Sequence, residues 1–501
     1  MTNAILNKKL NDLKNVGFFD NLIIERGIEK EFFRIDTKGN ISKKSHPNSL
    51  GSALTNKFIT TDFAEAQLEL VTPTFEDIDE LYDFLYSLHV FSAKNLENDE
   101  MLWPFSMPPV IKNESEINLG YYHQSNIGLL KHVYRRGLKI RYGSTMQCVS
   151  GMHYNFSLKK ESLQKLVNDN DQSAIDDAYL GLIRNFKRIF WFVLTQFGQT
   201  NVVDKSFVKG RNHNLKNLND TDLYSEFATS LRMSDIGYQS KAQQSLDIKY
   251  NSLSSFLEKI KFAITSPYPE FEGMGLKNNS GDYHQISSGI IQIENEFYDS
   301  IRPKRPSVDG VRPYEMLKKL GIEYLEIRGV DISPFDIVGI SKDQIRFLDL
   351  ILIYCLVMPS PAIASEEKKL IDENDKKALY NGRDENTSIV VNNKKVSIRS
   401  AAKSIINDLK DLATFFVNCD EMTSSIISII KMKKSLLPES GFHNDSLVKA
   451  KQNMSELVSS DCKYFDIIKK ESESSLEEFT KMPTNTETEM NDFVKNYNKN
   501  L

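Results

Sequence analysis

Five short segments of this chain alternate polar and apolar residues with the period of a strand. Successive side chains on a strand point to opposite faces, so residues two apart share a face. The segments are Arg26–Asp36, Asp62–Pro73, Met152–Leu158, Ile290–Tyr298 and Ile322–Ile332. Because each has one polar and one apolar side, they predict a sheet whose apolar face packs on a core and whose polar face is available to a ligand.

The polar side of these segments is rich in glutamate. Its members are Glu29 and Glu31; Glu65, Gln67 and Glu69; His153, Asn155 and Ser157; Gln292, Glu294, Glu296 and Tyr298; and Tyr324, Glu326 and Arg328. The alternative to a ligand-binding face is an ordinary solvent-exposed face. That alternative explains any one strand well, but it explains all five strands together less well. Converging glutamates repel one another unless cations lie between them, and carboxylate oxygens are the ligands that Mg²⁺ prefers. We therefore expect a metal site on this face.

The rest of the chain divides near residue 340. Leu6, Leu10 and Leu13 predict a short N-terminal helix. The apolar runs Arg188–Gly198 and Phe347–Met358 predict buried helices that are too short to span a membrane. We expect residues 1–340 to form a catalytic core with the N-terminal helix and the active-site sheet. Residues 341–501 are expected to form a mainly helical region packed on that core.

Two stretches of the C-terminal region have more specific signals. Ile389–Ile398 predicts a hairpin that turns at Asn392–Asn393. The final stretch, Thr484–Leu501, is polar and is expected to fray.

Composition argues against several classes of protein. The 501 residues carry 63 Lys and Arg against 68 Asp and Glu, a net charge of −5, whereas a general nucleic-acid binder is usually basic. The first residues contain no secretory signal pattern. The four cysteines are widely spaced and form no CxxC pair, which indicates reduced thiols. These observations predict a cytoplasmic protein without a nucleic-acid or membrane partner.

Several basic motifs are candidates for binding phosphate. The chain has no GxxxxGK(S/T) loop and no GxGxxG motif, so a P-loop or Rossmann nucleotide site is not supported. The basic candidates are Arg135 and Arg136 in YRRGLK, Arg232 in SLRMSD, Arg302, Lys304 and Arg305 in IRPKR, and Arg328. A guanidinium suits phosphate because its planar fork pairs bidentately. For YRRGLK a solvated helix is an equal alternative, whereas Pro303 predicts that IRPKR is a stiff basic loop directly after a Glu-lined strand.

Together the motifs resemble those of the bacterial, enterobacterial-type glutamate–cysteine ligases. The matching stretches are RGIEKEFFRI, GSALTNKFITTDFAEAQLELVTP, LWPFSMP, YRRGLKIRYG, MQCVSGMHYNFSL, ATSLRMSDIGY, IQIENEFYDSIRPKR and IEYLEIRGVDISPF. They occur in the family's order and cover most of the chain between residues 25 and 350. Beyond about residue 360 the resemblance is limited to length and helical character, so no site residue is transferred from there.

The resemblance implies an α+β fold of the glutamine-synthetase-like class. That fold is a curved antiparallel sheet forming an open half-barrel, with packed helices and a mainly helical C-terminal part. The implied reaction is ATP-dependent ligation of L-cysteine to the γ-carboxylate of L-glutamate through a γ-glutamyl phosphate, the first step of glutathione biosynthesis. The implied cofactor is Mg²⁺, with Mn²⁺ as an alternative, and ATP is a co-substrate. Feedback inhibition by glutathione at the substrate site is often found in this family.

The resemblance also implies roles for individual residues. The positions that match metal ligands are Glu29, Glu31, Glu69, His153 and Glu326. Arg232 and Arg328 match arginines near the transferred phosphate and the glutamyl group, and Asp62 is the candidate partner, and candidate base, of the cysteine amine. The substrate-binding positions are Phe63, Tyr134, Arg135, Leu138, Gln147, Tyr238 and Tyr298, of which Tyr238 and Tyr298 match tyrosines that bind the cysteine carboxylate. Beyond the resemblance, we predict from the basic motif that Lys304 and Arg305 bind the phosphates of ATP.

Three alternatives stay open. Another carboxylate–amine ligase on the same scaffold would differ at pocket residues such as Phe63 or Tyr134. A non-catalytic homologue that only binds ligands would have lost metal ligands. A metal-dependent hydrolase would need no phosphate-binding arginines. The sequence leaves the oligomeric state open.

Overall fold

The computed structural model describes residues 2–167, 171–237, 240–306, 311–432, 438 and 440–499. The strands are β1 (Ile24–Asp36), β2 (Ile59–Thr61), β3 (Gln67–Val71), β4 (Glu100–Leu102), β5 (Met152–Leu158), β6 (Val202–Asp204), β7 (Lys216–Asn217), β8 (Asp222–Tyr224), β9 (Ile301–Lys304), β10 (Tyr324–Val330), β11 (Ser388–Val391) and β12 (Lys394–Ser397). The helices are α1 (Thr2–Asn15), α2 (Ile78–Asn95), α3 (Asn126–Tyr142), α4 (Lys160–Val167), α5 (Gln172–Phe197), α6 (Leu253–Thr265), α7 (Pro269–Met274), α8 (Pro313–Leu320), α9 (Lys342–Val357), α10 (Ser365–Asn381), α11 (Ile398–Ala413), α12 (Cys419–Lys431), α13 (Phe442–Ser459), α14 (Phe465–Lys481) and α15 (Glu487–Lys499).

The main sheet is antiparallel throughout and runs in the order β2–β3–β1–β5–β10–β9, with β4 pairing the far end of β1. β2 and β9 are the edge strands at the two ends of this order, so the sheet is open rather than closed into a barrel. Its central strands come from distant parts of the chain. The polar-faced segments therefore become neighbours only through the fold.

Four of the five predicted segments contain a strand of this sheet. Arg26–Asp36 lies in β1, Met152–Leu158 is β5, and Ile322–Ile332 contains β10. Asp62–Pro73 contains β3, which begins only at Gln67 because the chain first turns, with the Gln67 N–H donating to the Ala64 carbonyl at 2.9 Å.

The fifth prediction, a strand at Ile290–Tyr298, is wrong. This stretch bends and forms a short 3₁₀ helix at Glu294–Glu296. The backbone N–H of Gln292, which a neighbouring strand would otherwise bind, donates to Glu296 Oε2 at 2.8 Å. Glu294 accepts two hydrogen bonds from the Arg312 guanidinium, each at 3.0 Å. The polar residues of this stretch therefore do not form one strand face.

The basic motif that follows is a strand, and the prediction of a loop there is wrong. Ile301–Lys304 forms β9, which pairs with β10 at one end of the sheet. Proline is tolerated on such an edge strand because its missing N–H is not needed for a second partner. Arg302 lies directly opposite Glu326 in the register of these two strands.

The apolar face of the sheet packs on the two helices that the sequence predicts to be buried. Ile28, Tyr154 and Ile327 join residues of α5 and α9 in one hydrophobic cluster. α9 begins at a capping box formed by Ser341 and Gln344. Because helices cover this face, the opposite face of the sheet is left for the glutamates.

The described residues beyond α9 are mainly helical, as predicted. The predicted hairpin is confirmed by β11 and β12, whose connecting Asn392 and Asn393 have φ values of 51° and 59°. Both lie in the left-handed region that a tight two-residue turn requires. The expectation that Thr484–Leu501 frays is wrong for its described part, since α15 forms there and buries Met490 and Val494.

Two findings bear on the compositional expectations. All four cysteines are free thiols. None of the helices described here combines the length and the apolar character that crossing a membrane requires.

Candidate active site

The register of the central strands brings the predicted metal ligands together on one face. Glu31 on β1 lies opposite Glu69 on β3, and Glu29 on β1 lies opposite His153 on β5. Glu326 on β10 lies opposite Asn155 on β5, two residues after His153. Since antiparallel neighbours have Cβ atoms about 5 Å apart, these side chains meet without any special loop.

Side-chain distances define the centre of this face. His153 Nδ1 lies 3.1 Å from Glu29 Oε2, and His153 Nε2 lies 3.3 Å from Glu31 Oε1. Asn155 donates to Glu29 Oε1 at 2.9 Å. One potential ligand atom each from Glu29, Glu69 and His153 lies within 4.8 Å of the other two. Such a set of two carboxylates and an imidazole has the donor types of a divalent metal site.

The directions of the pKa shifts in this cluster indicate a shortage of positive charge at its centre. Burial and the negative charge of Asp62 raise the pKa of Glu69 to about 8 and raise the pKa of Glu31 well above its usual value. Burial, with the charge of Arg328, lowers the pKa of His153. For Glu29, burial opposes ionisation, but the hydrogen bond with His153 holds its pKa below the usual value. A bound cation would favour the ionised carboxylates and use the lone pair of a neutral imidazole.

Glu326 has a different environment from the other candidate ligands. Arg302 Nε and Nη2 lie 2.7 and 2.6 Å from Glu326 Oε2, Lys304 Nζ lies 3.3 Å from Oε1, and Arg328 Nη1 lies 3.4 Å from Oε2. Burial opposes ionisation of Glu326, but these cations hold its pKa well below the usual value. The charge of Glu326 is therefore already shared by protein cations.

Within this group, Arg302 was identified from the sequence only as one of the basic candidates for phosphate, without a specific site role. Its side chain is buried, and it also donates to the Asn295 and Phe297 carbonyls at 3.1 and 2.9 Å. Its signal in the sequence was the two-residue spacing from Lys304, which places both on one face of a strand. That signal was hidden because IRPKR was interpreted as a loop.

Arg232 and Arg328 border the Glu31 side of the cluster. Arg232 is held by Asp331, whose Oδ1 accepts from Nε at 2.8 Å, and by the carbonyls of Arg328 and Val330. The absence of a side chain at Gly151 leaves room for the Arg232 guanidinium, since a Cβ there would lie 2.7 Å from Arg232 Nη1. Both guanidinium groups lower the pKa of Glu31, against the larger effect of burial. The structure thus places two cations beside the carboxylate cluster.

Arg305 and Arg135 point to backbone groups. Arg305 donates to the Gly321 carbonyl at 2.6 Å and pairs with Glu323 at 3.2 Å. Arg135 lies in α3, donates to the carbonyls of Thr61 and Asp62, and stacks on the Tyr122 ring at 4.4 Å. Contact with a ligand stays a prediction for both residues, while Arg135 visibly holds the segment that carries Asp62.

The predicted pocket residues lie near one another at the α3 side of the sheet. Phe63 and Leu138 are buried in one hydrophobic cluster, and Tyr134 packs against it. Gln147 is buried on the 3₁₀ turn that follows α3. Burial raises the pKa values of Tyr134 and Tyr298 well above their usual value, and the negative charge of Asp62 contributes to both shifts. Tyr238 lies outside the described residues.

Comparison with known proteins gives relatives along most of the chain. The family model described as "Glutamate-cysteine ligase" matches residues 9–378. The chain is 44% identical to the glutamate–cysteine ligase of Hahella chejuensis over 372 residues, 73% of this chain and 71% of the relative. It is 43% identical to that of Alcanivorax borkumensis over 404 residues, 78% and 76% of the two chains. The crystal structure of the Francisella tularensis glutamate–cysteine ligase in complex with AMP matches 95% of this chain and 98% of its own, with a TM-score of 0.90 and 30% identity.

Proposed function

The chain belongs to the glutamate–cysteine ligase family, and from this premise we propose which residues carry out the reaction. The enzyme uses ATP to join L-cysteine to the γ-carboxylate of L-glutamate, giving γ-glutamylcysteine for glutathione synthesis. The resemblance found in the sequence is confirmed, as is the implied α+β fold with an open antiparallel sheet.

We propose that Glu29, Glu69 and His153 hold Mg²⁺, or Mn²⁺ in its place, with Glu31 as a further ligand. This proposal is supported by the potential ligand atoms of Glu29, Glu69 and His153, which lie within 4.8 Å of one another. The raised pKa values of Glu31 and Glu69 support it further. When bound, the ion supplies charge neutralisation for the phosphates of ATP. Glu326 is proposed to act mainly by fixing Arg302, Lys304 and Arg328, although its matched position in the family is that of a ligand.

Amide formation from a carboxylate needs an activated leaving group, which the γ-glutamyl phosphate provides. Arg232 and Arg328 lie beside the carboxylate cluster and are proposed to stabilise the charge on the transferred phosphoryl group. Lys304 is proposed to contact the phosphates of ATP from the β9 edge, and Arg305 is retained as a weaker candidate there. The protein's contribution is then mostly positioning and charge neutralisation.

Cysteine is proposed to bind on the α3 side of the cluster. Phe63, Tyr134, Leu138 and Gln147 enclose its side chain, while Tyr298 and Tyr238 bind its carboxylate. Asp62 is proposed to receive the amine, since it directly precedes Phe63 in the chain and its charge acts on both Tyr134 and Tyr298. Arg135 contributes by holding the Asp62 backbone. Glutathione contains the γ-glutamylcysteine unit and would compete for this pocket, which gives a basis for feedback inhibition.

The observation that carries the assignment is the cross-strand cluster of Glu29, Glu69 and His153 beside two arginines. The test is ADP release by the purified enzyme with glutamate, ATP and Mg²⁺, with and without cysteine. We expect ADP release to require glutamate and metal and to be strongly stimulated by cysteine. Full-rate ADP release in EDTA would refute the metal role, and full stimulation by an unrelated amine would refute the cysteine pocket.

A further inference from the structure

The last helix, α15, has a well-defined start and a continuous apolar side. Thr486 and Glu489 form a capping box, in which the Thr486 N–H donates to Glu489 Oε2 at 2.7 Å and the Glu489 N–H donates to Thr486 Oγ1 at 3.3 Å. Met490, Phe493, Val494 and Tyr497 follow at the spacing of one helix face. This combination forms a helix although most residues of the stretch are polar.

One end of α15 is attached to the start of α3. The Asn485 N–H donates to the Gln124 carbonyl at 3.0 Å, and Asn485 Oδ1 accepts the Asn126 N–H at 2.8 Å. Along the helix, Met490 and Val494 pack in one cluster with Leu130 and Val133 of α3. Tyr134, the next residue of α3, packs against the same cluster.

The other end of α15 is attached to the stretch that precedes β9. Asn498 donates to the Ile286 carbonyl at 3.1 Å, and Ile286 belongs to the same hydrophobic cluster. The Arg312 guanidinium, which is fully buried, pairs bidentately with Glu294 and donates to the Tyr497 carbonyl at 3.3 Å. The Arg312 guanidinium also stacks on the Tyr497 ring at 4.4 Å. Removing α15 would expose this charge pair to solvent.

The two attachment points carry the two walls of the proposed cysteine pocket. α3 bears Tyr134 and Leu138, while the stretch from Ile286 leads through Gln292 to Tyr298. Gln292 already joins the two walls, since its amide donates to the Tyr134 carbonyl at 3.2 Å. We propose that α15 is a positioning element that sets the distance between these walls and thereby the affinity for cysteine. The inference rests on the cysteine pocket assigned under the proposed function, and α15 lies beyond the residues that the family model matches.

The test uses full-length variants that loosen α15 without touching the pocket. Met490→Ala and Asn485→Ala should each raise the KM for cysteine, by roughly tenfold for Met490→Ala, because displacements of about 1 Å at remote positions can have effects up to about a hundredfold. The KM values for glutamate and ATP should stay within about twofold. Met490→Leu, which conserves volume, should restore the wild-type KM for cysteine.

A matched control separates positioning from stability. Ile468 is fully buried in α14 against α2, in a hydrophobic cluster that contains none of the proposed pocket residues. Ile468→Ala should lower the melting temperature as Met490→Ala does, yet leave the KM for cysteine unchanged. An equal rise in KM for all three substrates in Met490→Ala, or no rise at all in both Met490→Ala and Asn485→Ala, would overturn the proposal.

A second comparison distinguishes failure of this inference from failure of the pocket assignment. Tyr134→Ala changes the pocket wall directly. If it leaves the KM for cysteine unchanged, the pocket assignment is wrong and the inference falls with it. If it raises that KM while the α15 variants do not, the pocket stands and only the positioning role of α15 is refuted.

Discussion

Neighbouring glutamates on one sheet face differ sharply in how their charge is compensated. Burial and Asp62 raise the pKa of Glu69 to about 8, whereas Arg302, Lys304 and Arg328 overcome burial and hold the pKa of Glu326 well below its usual value. Burial therefore disfavours the ionised form of Glu69, which a bound cation would favour, while protein cations already favour the ionised form of Glu326. Substitutions at the two kinds of site should consequently have different signatures.

Glu29→Gln should abolish most turnover with little loss of stability. The amide keeps the shape but removes a charge that faces the proposed metal, which should cost about 2–4 kcal/mol in the transition state, or on the order of a hundredfold to a thousandfold in kcat. The measurement is kcat at saturating Mg²⁺ together with the melting temperature. Near-normal kcat at ordinary magnesium concentrations would contradict the assignment.

Glu326→Gln should lower both kcat and the melting temperature. Its buried partner Arg302 would lose the carboxylate oxygen that both Nε and Nη2 contact, and an unpaired buried charge is strongly destabilising, by about 3–5 kcal/mol. Glu326→Gln and Glu29→Gln are compared by calorimetry under identical conditions. An unchanged melting temperature in Glu326→Gln would show that the Arg302 pair contributes little to the fold.

Tyr298→Phe should narrow the discrimination between cysteine and cysteamine, which lacks the carboxylate. The Tyr298 hydroxyl is proposed to bind the carboxylate of cysteine. Removing this hydroxyl should therefore lower kcat/KM for cysteine more than for cysteamine. 2-Aminobutyrate, with a methyl group for the thiol, should stay a substrate in the wild type, since a methyl-sized difference is worth only about 1–3 kcal/mol. The measurement is kcat/KM for the three amines. An equal loss for all three would remove Tyr298 from carboxylate recognition.

At the scale of elements, helix pairs behind the sheet hold groups whose ionisation is linked to stability. α10 packs on α5, where Asp375 lies near Lys187 and the backbone of Trp191. Burial raises the pKa of Asp375 to about 8, well above that of an Asp in an unfolded chain. The folded protein therefore binds a proton that the unfolded chain has released between about pH 4 and pH 8, so stability falls as the pH rises through this window.

Asp375→Asn should raise the free energy of unfolding at pH 8.5 by on the order of 1–3 kcal/mol, because the amide carries no ionisation cost. The gain should shrink steadily as the pH falls toward 4. Denaturant titrations at several pH values give the measurement. Glu373→Gln on the same helix is the control, since Glu373 is exposed and is not among the charges that shift the pKa of Asp375. A gain of equal size at all pH values would contradict the linkage.

At the scale of the whole molecule, a buried ion pair joins the sheet to the C-terminal helices. Arg26 on β1 pairs with Asp349 on α9 at 2.8 Å, and Tyr154 on β5 donates to the same carboxylate at 2.6 Å. Both charged side chains are almost completely buried. The division near residue 340 therefore separates regions that share one core, and we expect them to unfold together.

Asp349→Ala should destabilise the whole chain by about 3–5 kcal/mol, because it leaves Arg26 buried and unpaired. Both tryptophans, Trp103 and Trp191, lie before residue 340, whereas far-UV circular dichroism also detects the helices that follow it. Tryptophan fluorescence and circular dichroism should nevertheless report one shared transition. The double variant Arg26→Met/Asp349→Leu should recover much of the loss. Separate transitions for the two signals would refute a single unfolding unit.

Local pattern in the sequence determined the faces of the strands and the positions of the buried helices. Glu29 and Glu31 share a face because side chains on a strand alternate, and the Asn392–Asn393 turn follows from the conformations those residues tolerate. The same alternation of polar and apolar residues led to a wrong strand prediction at Ile290–Tyr298, where Glu296 accepts a backbone N–H of its own segment. It also missed α15, although the Thr486–Glu489 capping box and the apolar spacing were visible in the sequence.

Only the tertiary structure decided which charges neutralise which. Arg302 and Glu326 meet because β9 pairs with β10 in one register, and a shift of that register by one residue would turn one of them to the opposite face. Likewise, among the described residues Glu69 forms no ion pair of the kind that Glu326 forms with Arg302, although the strand pattern placed both glutamates on polar faces and the family resemblance implied that both are ligands. Periodicity depends on adjacent residues alone, whereas ion pairing depends on distances of a few ångströms between segments that only packing and strand register bring together.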